Sequence, residues 1–137
     1  MTETTTGITT GITTRRPWVR RSASVAGAAG AALGVWALIT QVGGTDLASN
    51  AGGSVRHIGP AEVLVSSLLA GLIGWAWLAW LERRAARPYR IWNSTATAAF
   101  AASLTGPLGA VSVQAGLGLA ALHATVYAIL IFGLPRT

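Results

Sequence analysis

No cysteine occurs among the 137 residues, and none of the ten cationic residues is lysine. The first absence excludes disulfides, thiolate chemistry and cysteine metal sites, and leaves the redox compartment undetermined. Charge of either sign is scarce: ten arginines face 4 Asp+Glu, and charged residues make up 10% of the chain. A soluble domain carries about 25%, so a water-facing surface cannot be built from this inventory. Hydrophobic residues reach 52% and the mean hydropathy is +0.53. Both fit one domain embedded in a membrane. Also missing are a glycine-rich phosphate loop, a nucleophile elbow, a zinc motif and an acid dyad. An enzymatic reading has no residue constellation to stand on, and no metal or other cofactor is expected.

What is present is a series of uncharged runs with arginines between them. Residues 1–14, "MTETTTGITTGITT", form a threonine-rich segment without apolar period and are expected to be a disordered cytoplasmic tail. A single membrane domain, residues 15–137, follows. Ser22 to Val42 carries no charge over 21 residues, enough to cross a hydrocarbon core, which takes about 20. Val63 to Leu81 is a second uncharged run, bracketed by Glu62 and Glu82. Ile91 to Pro135 has no formal charge over 45 residues, too long for one crossing. The spans are therefore expected near 22–42, 63–81, 91–110 and 115–134. "TGPLG" at Thr105 to Gly109 is the strongest breaker in the last run. A turn there shortens the third span, so the turn is placed near Ser112 to Gln114, with Pro107 kinking the helix before it. Although "TRRPWV" loosely resembles a twin-arginine export signal, its apolar run is long and lacks a small-x-small cleavage site, so it is read as a retained first helix.

Arginine placement sets the expected orientation. Arg15, Arg16, Arg20 and Arg21 precede the first span; Arg83, Arg84, Arg87 and Arg90 lie between the second and third; Arg136 follows the fourth. Nine of ten thus fall on one side, with Arg56 the exception. Cytoplasmic loops carry the arginine excess. Both termini and the "ERRAARPYR" connection are therefore expected in the cytoplasm, and the 20-residue connection Gly43 to Glu62 outside it. Trp18, Trp80, Tyr89 and Trp92 cluster at the cytoplasmic boundary, as interfacial aromatics do. The same placement explains the net charge of +6 without nucleic acid, through lipid head groups. In the outer connection, "AGGS" either turns a short β-hairpin or belongs to an irregular loop.

The expected fold class is all-α, a four-helix transmembrane bundle. Gly27, Gly30 and Gly34 form, with Ala23 and Ala37, a seam of small residues on the first span, and Gly71 and Gly74 mark the second. Such seams let helices approach closely in lipid, within the bundle or between copies in a homo-oligomer. His123 is the one strongly titratable group deep in an apolar run, on a face with Gly116, Ala120 and Tyr127. His123 and Tyr127 are the intramembrane polar candidates. A structural role predicts a neutral ring bonded to a backbone carbonyl or to a hydroxyl such as Ser66, Ser67, Thr97 or Ser103 on a neighbouring helix; a functional role makes His123 part of a transport path. Asp46, Arg56, His57 and Glu62 are the outer-loop candidates, for salt bridges that fold the loop or for a ligand or metal site.

Together "DLASN…VRHIGPAEV", "AGLIGWAWLAWLERR", "LTGPLGA" and "LHATVYAIL" resemble a family of small four-span actinobacterial membrane proteins of unknown function. The likeness runs from about Arg15 to Pro135 and implies the fold and topology but no activity. Arginine-only usage with abundant Ala and Gly fits a high-GC bacterial genome. Small multidrug transporters share the span count, but the essential acid of their first span has no counterpart between Ser22 and Val42. Two functions follow as expectations. One is a non-enzymatic membrane component that binds a membrane-protein partner or supports the envelope. The other is a homo-oligomeric channel or transporter using His123.

Overall fold

A computed structural model describes residues 16–135. The threonine-rich segment, Arg15 and Arg136 lie outside the described residues. Five helices and a hairpin follow in the order α1 (Pro17–Ala37), β1 (Ala48–Ala51), β2 (Ser54–His57), α2 (Pro60–Arg84), α3 (Pro88–Ser103), α4 (Thr105–Leu108) and α5 (Val113–Gly133). Prolines open α1, α2 and α3, where a missing N–H costs nothing and the ring presets φ. Ser112 caps α5, its hydroxyl accepting from the Ala115 N–H at 3.1 Å. A π-helical turn, Leu38–Val42, extends α1.

Three helices are long and apolar enough to cross a membrane: Pro17–Val42, Pro60–Arg84 and Val113–Gly133, with mean hydropathies of 1.6, 1.8 and 1.9. The third expected span, 91–110, is different. α3 stops at Ser103 after 16 residues, and α4 is a separate helical turn. Pro107 has no N–H to continue the ladder. The Ser103 and Thr105 hydroxyls bond back to Phe100 O (2.7 Å) and Ala102 O (2.8 Å), competing with helical pairing. The chain then reverses over Gly109 to Ser112, while Val113 and Gln114 already belong to α5. The reversal thus comes earlier than the expected Ser112 to Gln114, and Pro107 sits inside α4 instead of kinking a longer span.

The long outer connection contains a hairpin. β1 and β2 pair antiparallel, Ala48 with His57 through Ala51 with Ser54. Gly52 and Gly53 fill the two-residue turn with φ of 59° and 87°, a conformation that glycine adopts without penalty. The free edge of β1 bonds to the α4–α5 turn: Asn50 N–H donates to Gly109 O at 2.9 Å, and Val111 N–H to Ala48 O at 3.2 Å. Trp36 of α1 ties down the exit strand by donating to Ile58 O at 2.9 Å.

α2 and α5 run antiparallel to α1 and α3, so the arginine-bearing ends gather at one pole and the hairpin at the other. α1 packs against both α2 and α5 through Val25, Ala28, Ala29 and Ala32. A Cβ added to Gly71 would come within 2.7 Å of Val25 Cγ1, and one on Gly74 within 3.1 Å of Trp92. Gly118 makes room for Leu47, which is 1% exposed, and Gly133 for Ser24. Within the chain, the seam of Gly27, Gly30 and Gly34 packs against no other helix: a Cβ at any of them meets nothing within 4 Å. At about 100° per residue these three lie half a turn away from the Val25–Ala32 face. Ala28, Ala29 and Ala32, equally small, make the close contact instead.

Gly71→Leu should therefore lower thermal stability in detergent by about 1–3 kcal/mol, because Val25 has no room to move. Gly30→Leu should leave stability within about 0.5 kcal/mol. Equal losses for the two variants would contradict this packing.

Candidate functional site

Polar chemistry is concentrated at three places: the arginine pole, the hairpin, and a groove between α2, α3 and α5. At the arginine pole, Arg21 of α1 is buried and its Nη2 lies 2.6 Å from Glu82 Oε1 of α2. The two side chains are 9% and 25% exposed. Tyr89 Oη lies 3.5 Å from the same carboxylate oxygen. Arg16, Arg83, Arg84, Arg87 and Arg90 are exposed around this pair, and Arg20 is half-buried. Arg21 closes α1 onto α2. Each member of the pair ends an uncharged run, and antiparallel helices bring those ends together; that signal was present in the sequence.

The four outer-loop candidates resolve into two pairs. Arg56 bonds Glu62 through Nε at 2.9 Å and also through Nη2. His57 Nδ1 lies 2.8 Å from Asp46 Oδ2. The first pair ties β2 to the start of α2; the second ties β2 to the segment entering β1. The Asp46 and His57 side chains are 72% and 67% exposed, so their pair contributes little stability by itself. Among the described residues no group of three His, Asp or Glu side chains converges as a metal would need.

The groove has a volume of about 1130 Å³. α5 supplies its floor with Leu119, Leu122, His123, Val126, Tyr127 and Leu130. α2 and α3 form the walls. His123 and Tyr127, paired by sequence spacing, both line it. Tyr127 is engaged: its hydroxyl is 2.9 Å from Thr97 Oγ1, and its ring stacks on Phe100 with centroids 4.5 Å apart. His123 is not. Its Nδ1 is buried without a hydrogen-bond partner. Of the hydroxyls expected to serve it, Thr97 takes Tyr127, Ser66 donates to Glu62 O and Ser103 to Phe100 O. Ser67 is buried and also lines the groove.

Sequence reasoning missed Trp92. Grouped with the interfacial aromatics, it is only 4% exposed, whereas Trp18, Trp80 and Tyr89 are exposed as expected. It packs with Leu78, Leu81, Leu130 and Leu134 at the base of the groove, and its Nε1 is buried without a partner. The groove itself was also unforeseen, since it depends on how far α3 stands from α2.

Arg21→Ala should destabilise the fold by about 2–3 kcal/mol, less than the 3–5 typical of a fully buried pair because Glu82 keeps some solvent contact. Replacing both partners with methionine should recover most of that loss. Arg83→Ala, an exposed neighbour, should change stability by no more than about 0.5 kcal/mol. Thermal melts in detergent check all three; parity of Arg21→Ala with Arg83→Ala would contradict a structural pair.

No curated protein and no solved structure matches this chain. Its sequence does match a family profile over residues 12–137, almost its whole length. With three membrane-length apolar helices around a small hairpin, the chain belongs to that family, DUF6069, a family of unknown function.

Proposed function

We propose that this is a multi-pass protein of the cell membrane, with both termini and the Leu81 to Trp92 connection in the cytoplasm and the hairpin outside. α3 continued by α4 is proposed to make the fourth crossing. Pro88 to Leu108 is 21 residues, about 31 Å if helical throughout, close to the thickness of a hydrocarbon core. The arginine-rich pole supports the orientation through the positive-inside bias. The protein acts without chemistry of its own, by binding a partner in the plane of the bilayer. The observation that carries this reading is the groove: a recess of about 1130 Å³, mostly apolar, on the flank of a small bundle.

A channel or transporter built from several copies is the second reading, favoured by the unpartnered His123 ring and by the uncovered face of Gly27, Gly30 and Gly34. Against it, buried charge normally marks a transport path, and no formally charged group lines the groove at the depth of His123.

Ion flux into proteoliposomes containing the full chain separates the two. The binding reading expects flux indistinguishable from protein-free vesicles. A flux abolished by both His123→Gln and His123→Leu, with the helical fold retained, would replace it with the channel.

A further inference from the structure

At the arginine pole, cations outnumber the acids that could neutralise them. Arg16, Arg83, Arg84, Arg87 and Arg90 are exposed there, and Glu82 is the pole's one acid among the described residues. Arg21 already holds that carboxylate. The other described acids, Asp46 and Glu62, pair at the hairpin pole with His57 and Arg56. The exposed arginines are therefore left to anions from outside the chain.

Two of them adjoin an apolar surface. Arg84 ends α2 and Arg87 precedes Pro88 of α3, with only Ala85 and Ala86 between them. Their Cα atoms are thus at most about 11 Å apart, close enough for two long side chains to meet on one phosphate. Ile73, Trp77, Trp80 and Arg84 follow one another along α2 at spacings of four, three and four. At about 100° per residue they lie within about 60° of each other around the helix. Ile73, Ala76, Trp77 and Trp80 line a shallow, exposed recess. Its two indoles stack with centroids 5.1 Å and planes 14° apart. Trp77 is held in place by donating from Nε1 to Thr95 Oγ1 at 3.0 Å. Arg84 stands about 6 Å along the axis beyond Trp80.

This surface asks for a phosphate and a hydrocarbon chain in one molecule. A nucleic acid or an acidic peptide would satisfy the arginines and leave the indoles uncovered. An uncharged lipid would do the reverse. A zwitterionic head group carries its own cation beside the phosphate and gains less from the arginines. We infer that the α2–α3 corner at the arginine pole binds one anionic phospholipid, its phosphate between Arg84 and Arg87 and an acyl chain over Trp77 and Trp80. This rests on the membrane placement proposed above and names a partner within the bilayer.

Native mass spectrometry of the full chain, released from micelles doped with dioleoylphosphatidylglycerol or with dioleoylphosphatidylcholine, tests the site. The one-to-one phosphatidylglycerol adduct should exceed the phosphatidylcholine adduct by about tenfold or more at equal doping. Arg84→Gln combined with Arg87→Gln should reduce it about fivefold or more with the melting temperature unchanged. Arg16→Gln combined with Arg83→Gln removes the same charge away from the stripe and should keep the adduct within about twofold. Trp80→Ala, or Trp80→Gln should the alanine variant fail to fold, should lower the adduct about threefold or more. Equal adducts of the two lipids overturn the inference. So do equal losses in the two arginine pairs, which would show diffuse attraction in place of a site. An adduct of inorganic phosphate or single-stranded DNA that matches the phosphatidylglycerol adduct and ignores Trp80→Ala assigns the arginines to a soluble anion and also overturns it. A chain that alkaline carbonate extracts from membranes overturns the membrane placement itself.

Discussion

The arrangement depends on how closely α1 can approach its two neighbours. In lipid, helices gain little from expelling one another's apolar side chains, and association rests on van der Waals contact between close backbones. Ala28, Ala29 and Ala32 present almost no side chain, and Gly71, Gly118 and Gly133 receive Val25, Leu47 and Ser24. α1, α2 and α5 therefore form the compact part of the bundle. α3 meets that part through bulky groups instead: Trp92 over Gly74, Phe100 on Tyr127 and Trp77 on Thr95. Aromatic spacers at a few points hold a helix close without closing the interval between them. The groove follows from that contrast in side-chain size.

The two poles restrain the bundle differently. At the arginine pole a single pair, Arg21 and Glu82, connects α1 and α2 where each leaves its apolar run. Burying one charge without the other is costly, so the pair fixes the vertical register of the helices. At the other pole the restraint is mostly backbone. β1 bonds on one side to β2 and on the other to the α4–α5 turn. This pairing satisfies donors and acceptors of an otherwise irregular connection. It also links α2 to the α3–α5 unit across the end of the groove.

Much of the architecture was legible in the residues because the physical signals were one-dimensional. Uncharged runs with flanking arginines locate the three long helices, and "AGGS" supplies a two-glycine turn for the hairpin. The loop pairing of Arg56 with Glu62 needs only local proximity. Other features required distances between helices. The choice between two small faces of α1 could not be read from Gly30 and Gly34, since glycine and alanine both permit close approach and the alanine face won. Trp92 read as interfacial because it adjoins Arg90, yet it turns onto Gly74. The end of α3 was misplaced because the length a bilayer requires outweighed the breaker "TGPLG", whereas the chain breaks at it. His123 stands out in the sequence as a polar group deep in an apolar run, but its lack of a partner is visible only once Thr97 is seen to belong to Tyr127.

The central claim is that the chain crosses a bilayer with its hairpin outside and its arginine connection inside, and that the α2–α3 groove faces hydrocarbon. The absence of native cysteine permits a direct test with single cysteines at Ser49, Ala86 and Ala99, exposed to a membrane-impermeant maleimide. The account predicts labelling of residue 49 in intact cells, of residue 86 only after permeabilisation, and of residue 99 in neither. Labelling of 86 but not 49 in intact cells would invert the orientation, and ready labelling of 99 would show water where the account places lipid.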